Sequence, residues 1–94
     1  MIKSFADADS ERVFKGQRTR RLPSSIRKRA VRKLLILNAA ETAQELRVPP
    51  GNRLERLKGD RAEQYSMRIN DQWRICFFWR SGDAYEVEIT ENHG

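Results

Sequence analysis

The chain has one cysteine, Cys76, and one histidine, His93, among its 94 residues. A lone cysteine excludes an internal disulfide framework and fits a reducing compartment, so a cytoplasmic protein is expected. One cysteine and one histidine also cannot supply the nitrogen and sulfur ligands of a usual zinc site. Long apolar runs are missing as well. Leu34-Leu35-Ile36-Leu37 falls far short of the roughly 18–20 residues that cross a bilayer. The opening Met1-Ile2-Lys3-Ser4-Phe5-Ala6-Asp7 has no long apolar region after its positive charge, so neither a signal peptide nor a membrane partner is expected. With 38% hydrophobic and 34% charged residues, the chain can build one thin core and not two, and residues 1–94 read as a single domain. Its 9% aromatic content, including Trp73 and Trp79, argues against disorder.

Acidic residues are absent from one long stretch. Between Arg12 and Lys33 there are ten basic side chains and no acidic one. The excess sits almost wholly in the first half: 12 basic and 5 acidic residues up to Arg47, against 7 and 8 afterwards. Such a block attracts polyanions, and nucleic acid is the first candidate partner. The plainer alternatives are a solvated helix face and a surface that docks an acidic protein.

The pattern along the chain predicts an α+β architecture: two or three N-terminal helices on one face of a mainly antiparallel, twisted sheet of four to five strands. Ile2–Phe5 reads as a short first strand. Asp9 or Ser10 is placed to cap a short helix through Phe14, with Gly16 ending it. Pro23-Ser24-Ser25 opens the main helix, Pro lying next to a serine cap. In that helix Ile26, Ala30, Leu34 and Leu37 share one stripe, while Lys28, Arg29 and Arg32 point elsewhere. A further helical turn is expected from Glu41 to Leu46, and Pro49-Pro50-Gly51-Asn52 stops helical structure. Beyond Pro50 the period becomes 2. Tyr65, Met67 and Ile69, then Trp73, Ile75, Phe77 and Trp79, then Tyr85, Val87 and Ile89 mark three strands with one apolar face.

Cross-strand partners must share a face, and this parity selects the hairpin loops. A three-residue loop, Asn70-Asp71-Gln72, pairs Ile69 with Trp73 and sets Arg68 opposite Arg74. The same test applied to the second hairpin selects Ser81-Gly82-Asp83, pairing Trp79 with Tyr85 and Arg74 with Thr90. Arg68, Arg74 and Thr90 then form one row on the polar face, and Glu91, Asn92 and His93 leave the sheet beside it. Two facing arginines are destabilising unless an anion lies between them. A guanidinium grips two phosphate oxygens at once, so the pair suits a phosphodiester. The alternatives are that both arginines splay into water, or that Glu86 or Glu88 neutralises them.

Pro49-Pro50-Gly51-Asn52-Arg53-Leu54-Glu55, Leu57-Lys58-Gly59-Asp60-Arg61 and Asn70-Asp71-Gln72-Trp73-Arg74-Ile75-Cys76-Phe77 resemble the plasmid-maintenance killer toxins, the HigB-like members of the RelE toxin superfamily. The likeness covers nearly the whole chain and is densest from Pro49 to Trp79. It implies a RelE-like fold and the toxin of a type II toxin–antitoxin system. The implied activity is a ribosome-dependent, metal-independent endoribonuclease that cuts mRNA in the decoding site and stops translation. The implied partners are the ribosome, mRNA and a helix-turn-helix, HigA-like antitoxin, with operator DNA reached only through the antitoxin complex. By motif match the site residues are Lys58, Arg74 and His93. Relatives often end in Asp-Tyr-His where this chain reads Glu91-Asn92-His93-Gly94, so a tyrosine hydroxyl is absent; some carry histidine where Glu55 stands.

Cleaving RNA without a metal requires a base for the ribose 2′-hydroxyl, charge stabilisation on the phosphorane and a proton for the leaving 5′-oxygen. Arg74 suits charge stabilisation. An unperturbed imidazole titrates in the range that suits a base or an acid, so His93 is the candidate for either role, with Glu91 the alternative base. Lys58 is a second phosphate contact. Arg68, Arg53 and Arg56, with Lys28, Arg29 and Arg32, are expected to bind RNA backbone. Phe78, on the polar face, is placed to stack on a base or to lie under a loop, and Cys76 reads as an inert packed thiol. The Arg12–Lys33 block serves either ribosomal RNA or the antitoxin. Two rival functions share these features: a nonenzymatic basic RNA- or DNA-binding module, and a toxin of the same fold with a non-ribosomal target such as gyrase.

Overall fold

The computed structural model describes residues 1–91, so Asn92, His93 and Gly94 lie outside it. Helix α1 spans Ala8–Phe14 and helix α2 spans Ser24–Ala39. Four strands follow: β1 (Glu55–Arg56), β2 (Gln64–Arg68), β3 (Trp73–Arg80) and β4 (Asp83–Glu91). They form one antiparallel sheet in the order β1-β2-β3-β4.

Local chemistry explains most of the boundaries. Asp7, rather than Asp9 or Ser10, caps α1: its carboxylate accepts the Ser10 N–H at 2.7 Å. Ser10 sits buried inside the helix, and its hydroxyl accepts the Ile89 N–H, tying α1 to β4. Gly16, at φ +78°, closes the helix as expected. Pro23 occupies the N-cap of α2, where no serine side chain caps the helix; the ring instead supplies a preset φ of −56°. The turn expected over Glu41–Leu46 is a 3₁₀ turn over Ala43–Arg47. It opens with a Thr42/Glu45 capping box, in which the Glu45 carboxylate accepts the Thr42 and Glu41 N–H groups. Pro49–Asn52 does not stop helical structure outright, because Pro50–Asn52 forms one more 3₁₀ turn. Proline is tolerated in a first turn, where its missing N–H has no partner to lose.

The core lies between the helices and one face of the sheet. Ala30, Leu34 and Leu37 of α2 and Val13 of α1 pack with Leu46, Met67, Ile75, Phe77, Val87 and Ile89. Lys28, Arg29 and Arg32 are exposed, as the helical stripe requires.

The first hairpin has the expected register. Ile69 donates to the Trp73 carbonyl at 2.9 Å, and Arg68 stands opposite Arg74. The Asn70 side chain accepts the Gln72 and Trp73 N–H groups and so closes the three-residue loop.

The second hairpin departs from the expected register. Its loop is the two-residue Ser81-Gly82, both at positive φ, so Trp79 pairs with Ala84 and Phe78 with Tyr85. The extra residue lies in a β-bulge, where Glu86 and Val87 together stand opposite Phe77. Two positive-φ residues match the twist of the strands, which favours the tight turn. Glu86 adopts φ +51°, and its N–H donates to the Ser4 hydroxyl at 2.9 Å. Beyond the bulge the parity is restored, and Arg74 stands opposite Thr90 as expected. Tyr85 is thereby moved off the core face and Ala84 takes its place.

Ile2–Phe5 is not a continuous strand. It touches β4 in parallel sense through isolated bridges at Ala84 and Val87, because the bulge between them interrupts the ladder.

Candidate functional site

The open face of the sheet carries the row that parity predicts. Arg68, Arg74 and Thr90 lie side by side on β2, β3 and β4. The site extends further than that row, because β1 adds Glu55 opposite Ser66, and Arg53 joins from the preceding loop. Arg53, Glu55, Ser66, Arg68, Asp71 and Arg74 line a cavity of about 200 Å³.

A latch holds Arg53 in place. Asn52 is wholly buried, its amide donates to the Leu46 carbonyl at 3.1 Å, and its side-chain oxygen accepts from Lys33 of α2. Arg53 follows at φ +43°, a left-handed residue that turns the chain into β1. Burial, together with the neighbouring Arg29 and Arg32 charges, lowers the Lys33 pKa from its ordinary value.

The arginines of the cavity are not equivalent. Arg68 is ion-paired with Asp71 across the hairpin loop. Neither Glu86 nor Glu88 neutralises Arg74: Glu86 lies beside Ser4, and Glu88 pairs with Arg61 at 2.9 Å. Among the described residues Arg74 has no ion-pair partner. Its Nε is enclosed and without a hydrogen-bond partner. An enclosed donor left unmet costs about 1–3 kcal/mol, and an anion seated between Arg68 and Arg74 would relieve the repulsion of their charges.

Several expected site residues lie elsewhere. Arg56 pairs with Tyr65 and places its guanidinium 5.7 Å from that ring, on the opposite face from Arg74. Glu91 pairs with Trp73, a core-face residue, so strand parity turns it away from Arg74. Lys58 is exposed and precedes the 3₁₀ turn Gly59–Arg61, outside the cavity lining. His93 lies outside the described residues. Phe78 is half-buried, with the Arg80 guanidinium 5.3 Å from its ring centroid. Cys76 is buried, and that desolvation raises its thiol pKa, against the opposing pull of Arg74 and Arg61. The hydrogen bond to Glu88 raises the Arg61 pKa.

Sequence reasoning noted Glu55 only as a position where relatives carry histidine and did not expect it, Ser66 or Asp71 in the site. A two-residue strand has no period to read, and only the pairing of β1 with β2 brings Glu55 to the wall of the cavity that Arg74 also lines.

A second groove, about 510 Å³, leads away from this cavity toward α2. Arg29, Arg32 and Lys33 form one wall, and Arg68 with Asp71 belongs to both spaces. Of the expected RNA-binding residues on α2, Arg29 and Arg32 therefore share a surface with the sheet, while Lys28 faces the other way.

A protein family described as the RelE-like toxin of the type II toxin–antitoxin system HigB matches residues 3–93. The chain is 42% identical over 90 residues to a Vibrio cholerae protein named Toxin HigB-1, covering 95% of each. It is 32% identical over 97 residues to a Proteus vulgaris protein named Endoribonuclease HigB, covering 99% of this chain and all of that one.

Proposed function

The chain belongs to the HigB family of RelE-like type II toxins, and on that premise we propose that it is a ribosome-dependent endoribonuclease whose cleavage site is the Arg53–Arg68–Arg74 cavity. Type II membership implies an antitoxin partner; a HigA-like helix-turn-helix protein is the form proposed here, with the ribosome and mRNA as targets. The observation that carries the reading is Arg74, a guanidinium without an ion-pair partner among the described residues, on the wall of a cavity it shares with Arg53 and Arg68.

The chemistry follows from the placement. A phosphodiester seated between Arg68 and Arg74 meets charge-assisted donors on two sides. The ribose 2′-oxygen attacks the phosphorus, the bond to the 5′-oxygen breaks, and negative charge grows on the phosphoryl oxygens as the phosphorane forms. Arg74 stabilises that charge. Glu55, on the same cavity wall, is the carboxylate available to take the 2′-hydroxyl proton. The leaving 5′-oxygen needs a proton, and His93, matched to the site by the family motif, is the group we propose for that role. Asp71 occupies Arg68 in the free protein and gives way as the phosphate arrives. Lys58 and Arg53 hold neighbouring phosphates, and the α2 wall of Arg29 and Arg32 continues the basic track along nucleic acid.

Primer extension on a defined mRNA, with and without programmed ribosomes, tests the reading for the wild type, Arg74→Ala, Glu55→Gln and His93→Ala. Cuts that require the ribosome and disappear with Arg74→Ala are the expected result. Intact mRNA in every lane of folded wild-type protein would overturn it in favour of binding without cleavage.

A further inference from the structure

Helix α2 contains no acidic residue, yet its two solvent-facing flanks differ in chemistry. On the flank nearer the β2–β3 hairpin, Arg29 and Lys33 face the polar groove shared with Arg68 and Asp71. On the flank nearer the end of α1, Val31 and Leu35 lie one turn apart and form the floor of a separate groove of about 360 Å³. Leu35 is 54% exposed, although its chain neighbour Leu34 is fully buried. Gly16 forms one end of this groove, and a Cβ built there would meet nothing within 4 Å. Arg27, Lys28 and Arg32 rim it, and no carboxylate lines it.

An exposed leucine alone is ordinary. An apolar floor with a purely cationic rim selects more narrowly. A phosphate backbone gains from the cations and nothing from Val31 and Leu35. An amphipathic helix with an acidic border gains from both, by laying apolar residues on the floor and carboxylates against the rim.

We propose that this groove between the end of α1 and the outer flank of α2 is the docking surface for an acidic amphipathic helix of the antitoxin. The inference rests on family membership, which supplies the partner, and not on the cleavage reading. It divides the cations of α2 between two functions, with Arg29 turned to nucleic acid and Arg27 and Lys28 to protein. Arg32 lines both grooves, so a docked acidic helix withdraws one cation from the nucleic-acid side.

The test measures two affinities on the same variants: calorimetric binding of the purified antitoxin from the adjoining reading frame, and ribosome pelleting. Leu35→Glu and Lys28→Glu change exposed side chains, and an unaltered Tm verifies that each variant folds. Leu35→Glu is expected to weaken antitoxin binding by about 30-fold or more, as loss of an interface anchor does, with ribosome association retained. Lys28→Glu is expected to weaken antitoxin binding by a smaller factor, again with ribosome association retained. Unchanged antitoxin affinity in both variants, or no binding by the wild type, overturns the docking site and leaves the cleavage reading standing. Parallel loss of ribosome association makes the groove an RNA surface and overturns it too. Antitoxin binding that behaves as expected beside a wild type that leaves mRNA intact strikes only the cleavage reading.

Discussion

The two faces of the sheet use the same strands for opposite ends. On the helix-covered face Met67, Ile75, Phe77, Val87 and Ile89 are almost wholly removed from water and touch one another across strands. On the open face the corresponding row puts two arginines side by side and leaves an enclosed Arg74 donor unmet. The first arrangement lowers the free energy of the folded chain; the second raises it until an anion binds. Stability and function are therefore written on alternate residues of the same strands, and substitutions on the two faces should separate the two properties.

The largest expected effect is on the apolar face. Phe77→Ala removes a fully buried ring and should lower unfolding free energy by about 3–5 kcal/mol in urea titration, with cleavage per folded molecule retained. Arg74→Ala should do the reverse, lowering ribosome-dependent cleavage about 10²–10³-fold while Tm stays level or rises as the repulsion with Arg68 is relieved. A fall in Tm comparable to that of Phe77→Ala would break the contrast. Asn52→Ala sharpens it from the connecting loop. It leaves the Leu46 carbonyl and Lys33 without their partner, should cost about 1–3 kcal/mol, and should weaken RNA contact at Arg53 as well.

Two smaller effects depend on protonation. The Thr42 and Glu41 N–H groups hold the Glu45 carboxyl below its ordinary pKa, so the folded state favours the ionised form. Its stabilisation is present above the ordinary carboxylate pKa and is lost as pH falls through the lowered value. Melting curves of wild type and Glu45→Gln should therefore differ near neutral pH and converge in acid. Cys76, whose pKa burial raises, should remain a protonated thiol and resist alkylation by iodoacetamide until denaturant is added.

The legible parts of the molecule were those with a strict local period. Alternation from Tyr65 to Trp79 left one loop length that kept apolar residues together, and that alone set Arg68 opposite Arg74. The same counting across Trp79–Ile89 found the correct Arg74–Thr90 pair but put the extra residue in the loop instead of at Glu86. Parity detects an added residue without locating it. The candidate site was legible only in part for a related reason: Glu91 looked adjacent to the row in sequence, yet one step along a strand reverses the face, whereas distant Glu55 entered through β1.

What the sequence determined by itself was the α+β pattern, the buried stripe of α2 and the arginine pair, because side-chain periodicity and the cost of burying charge act over a few residues. Only the tertiary structure decided that Arg53 and Glu55 complete the cavity, that Asn52 and Lys33 anchor the loop carrying Arg53, and that the cations of α2 border one polar and one apolar-floored groove. Those outcomes depend on which surfaces meet when the helices and β1 pack against the sheet. Such contacts join residues far apart in the chain, where no local period reaches.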